Sequence, residues 1–203
     1  MSEDTKKMNP TRVQTFPTEE GYDVVHVGGK LIGHLYHDVG LGFFLEPNVD
    51  DWQVNDLLVG HPDKKTLMQR IRLHAKIINQ SRIDAANGFK IHELDLAGIG
   101  DGVTIHQGSD RTPATIVDRT VRTMTVQEDD WTIVSGSAHD GSAKYEFRPS
   151  IFGTVMTFRR GQRSYIPATY YDREAKTTKD WVWMHQGVWT LGLGRSKYRD
   201  PHI

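Results

Sequence analysis

The stretch that decides the fold runs from Val103 to Leu193. It breaks into eight short runs: VTIHQ (103–107), ATIVDRTV (114–121), TMTVQ (123–127), WTIVS (131–135), KYEF (144–147), TVMTF (154–158), WVWMH (181–185) and VWTLGL (188–193). Each is rich in β-branched or aromatic residues, and turn-forming residues separate them. A helical apolar period is almost absent from the whole stretch, so the spacing predicts a small barrel or a sandwich rather than alternating α/β layers. Within WVWMHQGVW the alternation puts Trp181, Trp183 and Trp189 on one buried side.

Upstream of this stretch the character differs, and the glycine-rich Ala97–Gly100 marks the expected boundary. YDVVHVGGKLIGHLY (22–36) is two β-favouring runs around Gly28-Gly29, a hairpin signal because glycine accepts the positive φ such turns require. That turn pairs Val27 with Lys30, Val25 with Ile32 and Asp23 with His34. A third strand, GFFLE (42–46), is closed by Pro47, which cannot donate a ladder hydrogen bond. From Pro62 to about Ala86 a helix is predicted. Asp63 caps it, Leu67, Ile71, His74 or Ala75 and Ile78 recur at helical spacing, and Asn87-Gly88 ends it. Residues 1–20 are polar, contain Pro10 and Pro17, and read as a flexible arm. The expected fold is therefore α+β and mostly β: an arm (1–20), an N-terminal βββα domain (21–97), and a small, strongly bent antiparallel β-barrel (98–203).

Composition excludes several chemistries. There is no Cys among the 203 residues, which removes disulfides, thiolate zinc sites, iron–sulfur clusters and cysteine nucleophiles. No apolar run approaches the ~20 residues of a membrane span, and the N-terminus lacks a signal-peptide core. The expectation is a cytoplasmic protein without membrane contact.

Charge carries more information. The 25 Lys and Arg nearly cancel the 26 Asp and Glu, leaving a formal -1, yet the two signs are segregated. Arg148 to Arg199 holds ten basic and three acidic residues, and the same stretch holds nine aromatic ones. Cations neutralise phosphates and aromatic faces stack on bases, so this mixture suits a nucleotide or a nucleic acid strand. The alternative is that the aromatics fill a barrel core and the cations are its solvated face. Arg159-Arg160-Gly161-Gln162-Arg163 reads as a hairpin turn that would project three guanidinium groups together. Gly192-Leu193-Gly194-Arg195-Ser196-Lys197 would set backbone N–H groups beside two cations, as a phosphate nest does. The candidate ligand-binding residues are Arg111, Arg159, Arg160, Arg163, Arg195, Lys197, Tyr165 and Trp183.

Other constellations are weaker. His34 and His37 lie three apart on a strand and point to opposite faces, so no metal is expected there. Glu128-Asp129-Asp130 reads as a solvated turn. The loop His106 to Arg111 gathers an imidazole, a hydroxyl (Ser109) and a carboxylate (Asp110), but GxSxG, HExxH and SxxK patterns are missing. No catalytic residue and no cofactor is assigned.

The segment GDGVTIHQGSDRTPATIVDRTVRTMTVQEDD (100–130) resembles the opening of Tudor and KOW barrels, in which a strand of the form GDxVxV is followed by xAxVV and an acid-ended hairpin. That stretch, with the closing LGLGRSKYRDP (191–201), also resembles small uncharacterised bacteriophage and prophage proteins. The first resemblance implies a small bent barrel. The second implies an accessory protein acting in the host cytoplasm on host machinery or host defence.

Three functions follow as expectations. The first is a non-enzymatic binding protein whose basic, aromatic C-terminal domain takes a nucleotide-type small molecule or a nucleic acid strand, in a setting that counteracts host defence. The second is a structural or protein–protein interaction module, such as a phage particle component, a homo-oligomer or an inhibitor docking on a host enzyme. The third is a hydrolase using the His106–Arg111 loop.

Overall fold

In the computed structural model the described residues are 9–39, 42–47, 63–138, 140–165 and 178–198. The chain divides into two compact units, Met1–Arg82 and Ile83–Ile203.

The first unit is an antiparallel meander in the order β1-β2-β3-β4: β1 Val13–Pro17, β2 Asp23–Val27, β3 Lys30–Asp38 and β4 Gly42–Pro47. β1 falls inside the segment expected to be a flexible arm; Val13, Gln14 and Thr15 are half-buried and pair with Val27, His26 and Val25. The expected three strands are therefore four. The Gly28-Gly29 turn is as expected, with positive φ at both residues, but the register slips by one beyond it. Val27 faces Lys30 and His26 faces Leu31, after which Val25 faces Gly33 and Asp23 faces Leu35. Ile32 is the extra residue of a β-bulge, which lets both Ile32 and Gly33 turn inward. The expected Asp23–His34 pair is thereby lost. Asp23 instead forms an ion pair with Lys64 of α1, while His34 packs edge-on against Tyr22.

Helix α1 spans Lys64–Ala86. The Asp63 carboxylate accepts the Thr66 N–H at 2.8 Å and the Thr66 hydroxyl at 2.7 Å, satisfying donors that the first turn leaves open. Those bonds hold the Asp63 carboxyl below its usual pKa. Leu67, Ile71, His74, Ala75 and Ile78 are all buried, as their spacing requires. Gly88, with φ of +82°, ends the helix.

In the second unit all eight runs read from the sequence are strands: β6 Gly102–Gln107, β7 Asp110–Arg119, β8 Thr123–Glu128, β9 Asp130–Ser135, β10 Lys144–Arg148, β11 Val155–Tyr165, β12 Thr178–His185 and β13 Trp189–Leu193. Six of them close in the order β11-β8-β7-β6-β13-β12, with β12 returning to β11. The result is a closed six-stranded antiparallel barrel, which leaves no free edge among those six. A short parallel strand, β5 (Phe89–Lys90), adds outside β12. A one-turn helix α2 (Glu93–Leu96) follows it. Strands β9 and β10 stand apart as a two-stranded ribbon.

Inward-facing residues of alternate positions fill the barrel. Val103 and Ile105, Ala114 and Ile116, Met124 and Val126, Met156 and Phe158, Trp183 and Leu191 form one buried cluster. Fully burying one such aliphatic or aromatic side chain contributes roughly 1.5–3 kcal/mol.

Candidate functional site

Two places in the second unit concentrate chemistry. The first is inside the barrel. Period-two alternation from Met156 and Phe158 sends Arg160 inward, so the stretch read as a cation-bearing turn is the middle of β11, with Arg160 opposite Trp183. A bulge at Val117 shifts the phase of β7: Ile116 faces Val126, but Arg119 rather than Asp118 then faces the buried Met124. Arg119 therefore enters the interior and Val117 turns out to solvent. Two guanidinium groups, both under 10% exposed, meet two carboxylates as buried.

Arg160 donates to Asp84 at 2.6 Å and lies 3.3 Å from Asp95. Arg119 donates to the Asp95 carbonyl at 2.5 Å. The Asp95 carboxylate in turn accepts the Trp183 indole N–H at 3.2 Å and the His92 backbone N–H at 3.0 Å. Arg160 lies 4.6 Å from the centre of the Trp181 ring, and Arg119 lies 5.3 Å from that of Trp183. Burial and the neighbouring Arg160 push the Arg119 pKa down to about 10 against the pull of Asp95, so it stays charged at neutral pH. Arg160 and Trp183, both candidate ligand residues from the sequence, belong to this internal lattice.

Arg195 has a similar fate. Its Nε donates to Asp129 at 2.6 Å and its Nη2 to Thr115 at 2.8 Å, and Thr115 donates to Asp129 at 2.6 Å. Asp129, expected in a solvated turn, is buried. The Gly194 carbonyl accepts the Thr104 hydroxyl and the Gly194 N–H donates to Gly102. The segment expected as a phosphate nest is thus stitched to the barrel wall.

The second place is the outer surface around the ribbon. Arg111 and Tyr198 exchange backbone hydrogen bonds of 2.9 and 3.1 Å, and both side chains are exposed. Beside Tyr198, the Lys197 ammonium lies 5.3 Å from the centre of the Trp131 ring. Trp131 is 44% exposed and Tyr198 45%. A cation and an aromatic residue thus sit together at each of two places, the half-buried Lys197 with Trp131 and Arg111 with Tyr198, and two of the four, Arg111 and Lys197, are sequence candidates. Trp131 and Tyr198 were not named; the signal available was Trp131 on a run flanked by polar turns. Arg159 is exposed elsewhere, on the outer side of β11. The side chains of Arg163 and Tyr165 lie outside the described residues.

His106 sits on β6 opposite Arg111, its imidazole against Gly192 of β13. Burial first, and then Arg111, hold its pKa below the usual histidine value. Ser109 lies in the turn rather than on either strand. Among the described residues no three His, Asp or Glu side chains are grouped to hold a metal ion, and no helix is long and apolar enough to cross a membrane.

A cleft of about 600 Å³ is lined by His92, Glu93 and Asp95 on one side and by Trp181, Trp183 and Thr190 on the other. Its tryptophans are committed already: Phe89 stacks on Trp181 at 4.5 Å with the rings 9° from parallel, and Arg160 also packs on it. Among the described residues no Lys or Arg lines the cleft, so it offers an anion fewer partners than the outer surface does.

Fold and site together define a closed six-stranded antiparallel β-barrel with an appended ribbon and an exposed cation–aromatic surface. No protein-family model, curated protein or solved structure matches the chain.

Proposed function

We propose that the barrel unit is a non-enzymatic binding module for an anionic, ring-bearing ligand, a nucleotide or a short nucleic acid strand. The ligand lies across Arg111, Lys197, Trp131 and Tyr198. The observation that carries this is the Lys197 ammonium over the half-exposed Trp131 ring, next to the Arg111–Tyr198 bridge. An ammonium held at an aromatic face stands ready to meet a phosphate while the ring receives a base. Arg160 and Arg195 take no part, since their guanidinium groups hold the barrel together. The setting we attach, a phage accessory protein that counteracts host defence, rests on the resemblance carried by residues 100–130 and 191–201. No specific observation favours the hydrolase reading: His106 lies on β6 opposite Arg111, and Ser109 lies in the turn beyond.

The test is titration of the full chain with a nucleotide panel and with single-stranded oligonucleotides at about 50 mM salt, where phosphate contacts count most. Trp131→Ala should weaken binding by about 1–3 kcal/mol if one base stacks there, Lys197→Ala and Arg111→Ala should flatten the salt dependence, and Arg159→Ala should change neither. Absence of binding by every ligand at low salt overturns the proposal.

A further inference from the structure

The ribbon has a property that the ligand surface does not use. Trp131 faces Phe147 and Ile133 faces Tyr145, so four apolar side chains share one face of a two-stranded sheet that stands on its own. Trp131 meets Tyr145 edge-on at 5.6 Å, and Tyr145 stacks with Phe147 at 6.1 Å. Neither ribbon strand pairs with any other strand of the described fold. An isolated two-stranded ribbon is marginally stable at best in water, and an open edge beside an apolar face invites a further strand.

We infer that the open edge of β10 pairs antiparallel with β10 of a second copy of this chain, giving a four-stranded sheet β9-β10-β10′-β9′. The charges of β10 select the partner, and together with Pro149 they select the register. With the two-fold axis at Tyr145, Lys144 lies opposite Glu146 of the second copy and Glu146 opposite its Lys144, so one register makes two ion pairs by symmetry. Tyr145 then meets its own copy on the apolar face, and the aromatic row continues across the junction. Centring on Glu146 would set Glu146 against itself and Lys144 against Arg148. Centring on Phe147 would also make two pairs, Glu146 with Arg148, but it would draw Pro149, which has no N–H, and the buried Ser150 into the ladder. The outer edge of β9 carries Asp130 as its sole charge and has no self-complementary register. Lys144 and Glu146 are both exposed, and the existing Glu146–Arg148 pair at 3.0 Å is a surface pair, worth little by itself.

This inference is independent of the ligand reading, because edge pairing leaves the ring faces of the ribbon free. It is tested by sedimentation equilibrium of the full chain from about 1 µM to about 300 µM. The expected result is a monomer–dimer equilibrium. Lys144→Glu places two like-charged pairs at the junction and should raise the dissociation constant by about tenfold or more. The double exchange Lys144→Glu with Glu146→Lys restores opposite charges in the same register and should recover the dimer. A monomer throughout the range, a dimer unaffected by Lys144→Glu, or a double exchange as weak as the single variant would each overturn it. Circular dichroism on both variants distinguishes a lost interface from a lost fold, and both positions are exposed, so both variants should fold.

Discussion

The inner lattice of Arg119, Arg160, Asp84 and Asp95 and the ribbon β9–β10 invert the usual distribution of polarity. The first buries four formal charges beside two tryptophans, whereas the second exposes Trp131, Ile133 and Val134. Buried charge is costly unless opposite charges and hydrogen bonds compensate it, and here the compensation is partial, since Arg119 Nε and Nη1 and Arg160 Nε and Nη2 are buried without a hydrogen-bond partner. Losing what compensation there is punishes any rearrangement of the segments that supply it. Exposed apolar surface imposes no such constraint within the chain and gains most when something else covers it. The lattice therefore serves the fold, and the ribbon serves contact.

This contrast can be broken most sharply at Asp95. Asp95→Ala removes the shared acceptor of Trp183 and His92 and the neighbour of Arg160, leaving buried cations undercompensated. We expect a loss of about 3–5 kcal/mol, read from the urea unfolding midpoint at unchanged slope; a loss under about 1 kcal/mol would mean that the lattice is ornamental to stability. Trp131→Ser should cost less than the Asp95 change, about 1 kcal/mol in the same measurement, since the ring is half-exposed and gives up one cation–π contact and the edge-on contact with Tyr145. A large loss there would make the ribbon part of the fold rather than a contact surface.

The smallest effect is expected at His106. Its folded pKa lies below the ordinary value, so the unfolded chain binds the proton more readily. Stability from this group is whole above the unfolded pKa of about 6.5 and declines as pH falls through that value toward the folded one. His106→Gln should remove that part of the acid sensitivity between neutral pH and about pH 5. Thermal unfolding across this range, compared between the two proteins, reads the difference, and identical pH slopes would contradict it.

Much of the architecture was legible in the residues. The eight β runs, the Gly28-Gly29 turn, the Asp63 cap and the Gly88 stop depend on propensity and on neighbours within four residues. Arg160 was misplaced in a turn although counting by twos from Met156 and Phe158 puts it inside. The phase of β7 was not legible. ATIVDR counted by twos buries Asp118, and only the bulge at Val117, set by pairing with β8, sends Arg119 inward instead. Strand β1 was missed because VQTFP is short and ends in proline, which suits an edge strand as well as an arm.

The near-neutral charge and its segregation belong to the sequence by itself, as do the strand runs and the absence of thiol chemistry. Which cations remain available is a tertiary decision. Arg160 meets Asp84 across 76 positions and Arg195 meets Asp129 across 66, so two of the cations of the C-terminal stretch are paired with carboxylates far upstream. Local patterns cannot register that pairing, because a charge pair is fixed by distance in space and by burial, and only the tertiary fold brings the end of α1 to β11 and the β8–β9 junction to Arg195. Among the described candidates Arg111 and Arg159 remain exposed and Lys197 lies half-buried over Trp131, while Arg160 and Arg195 are taken up by carboxylates.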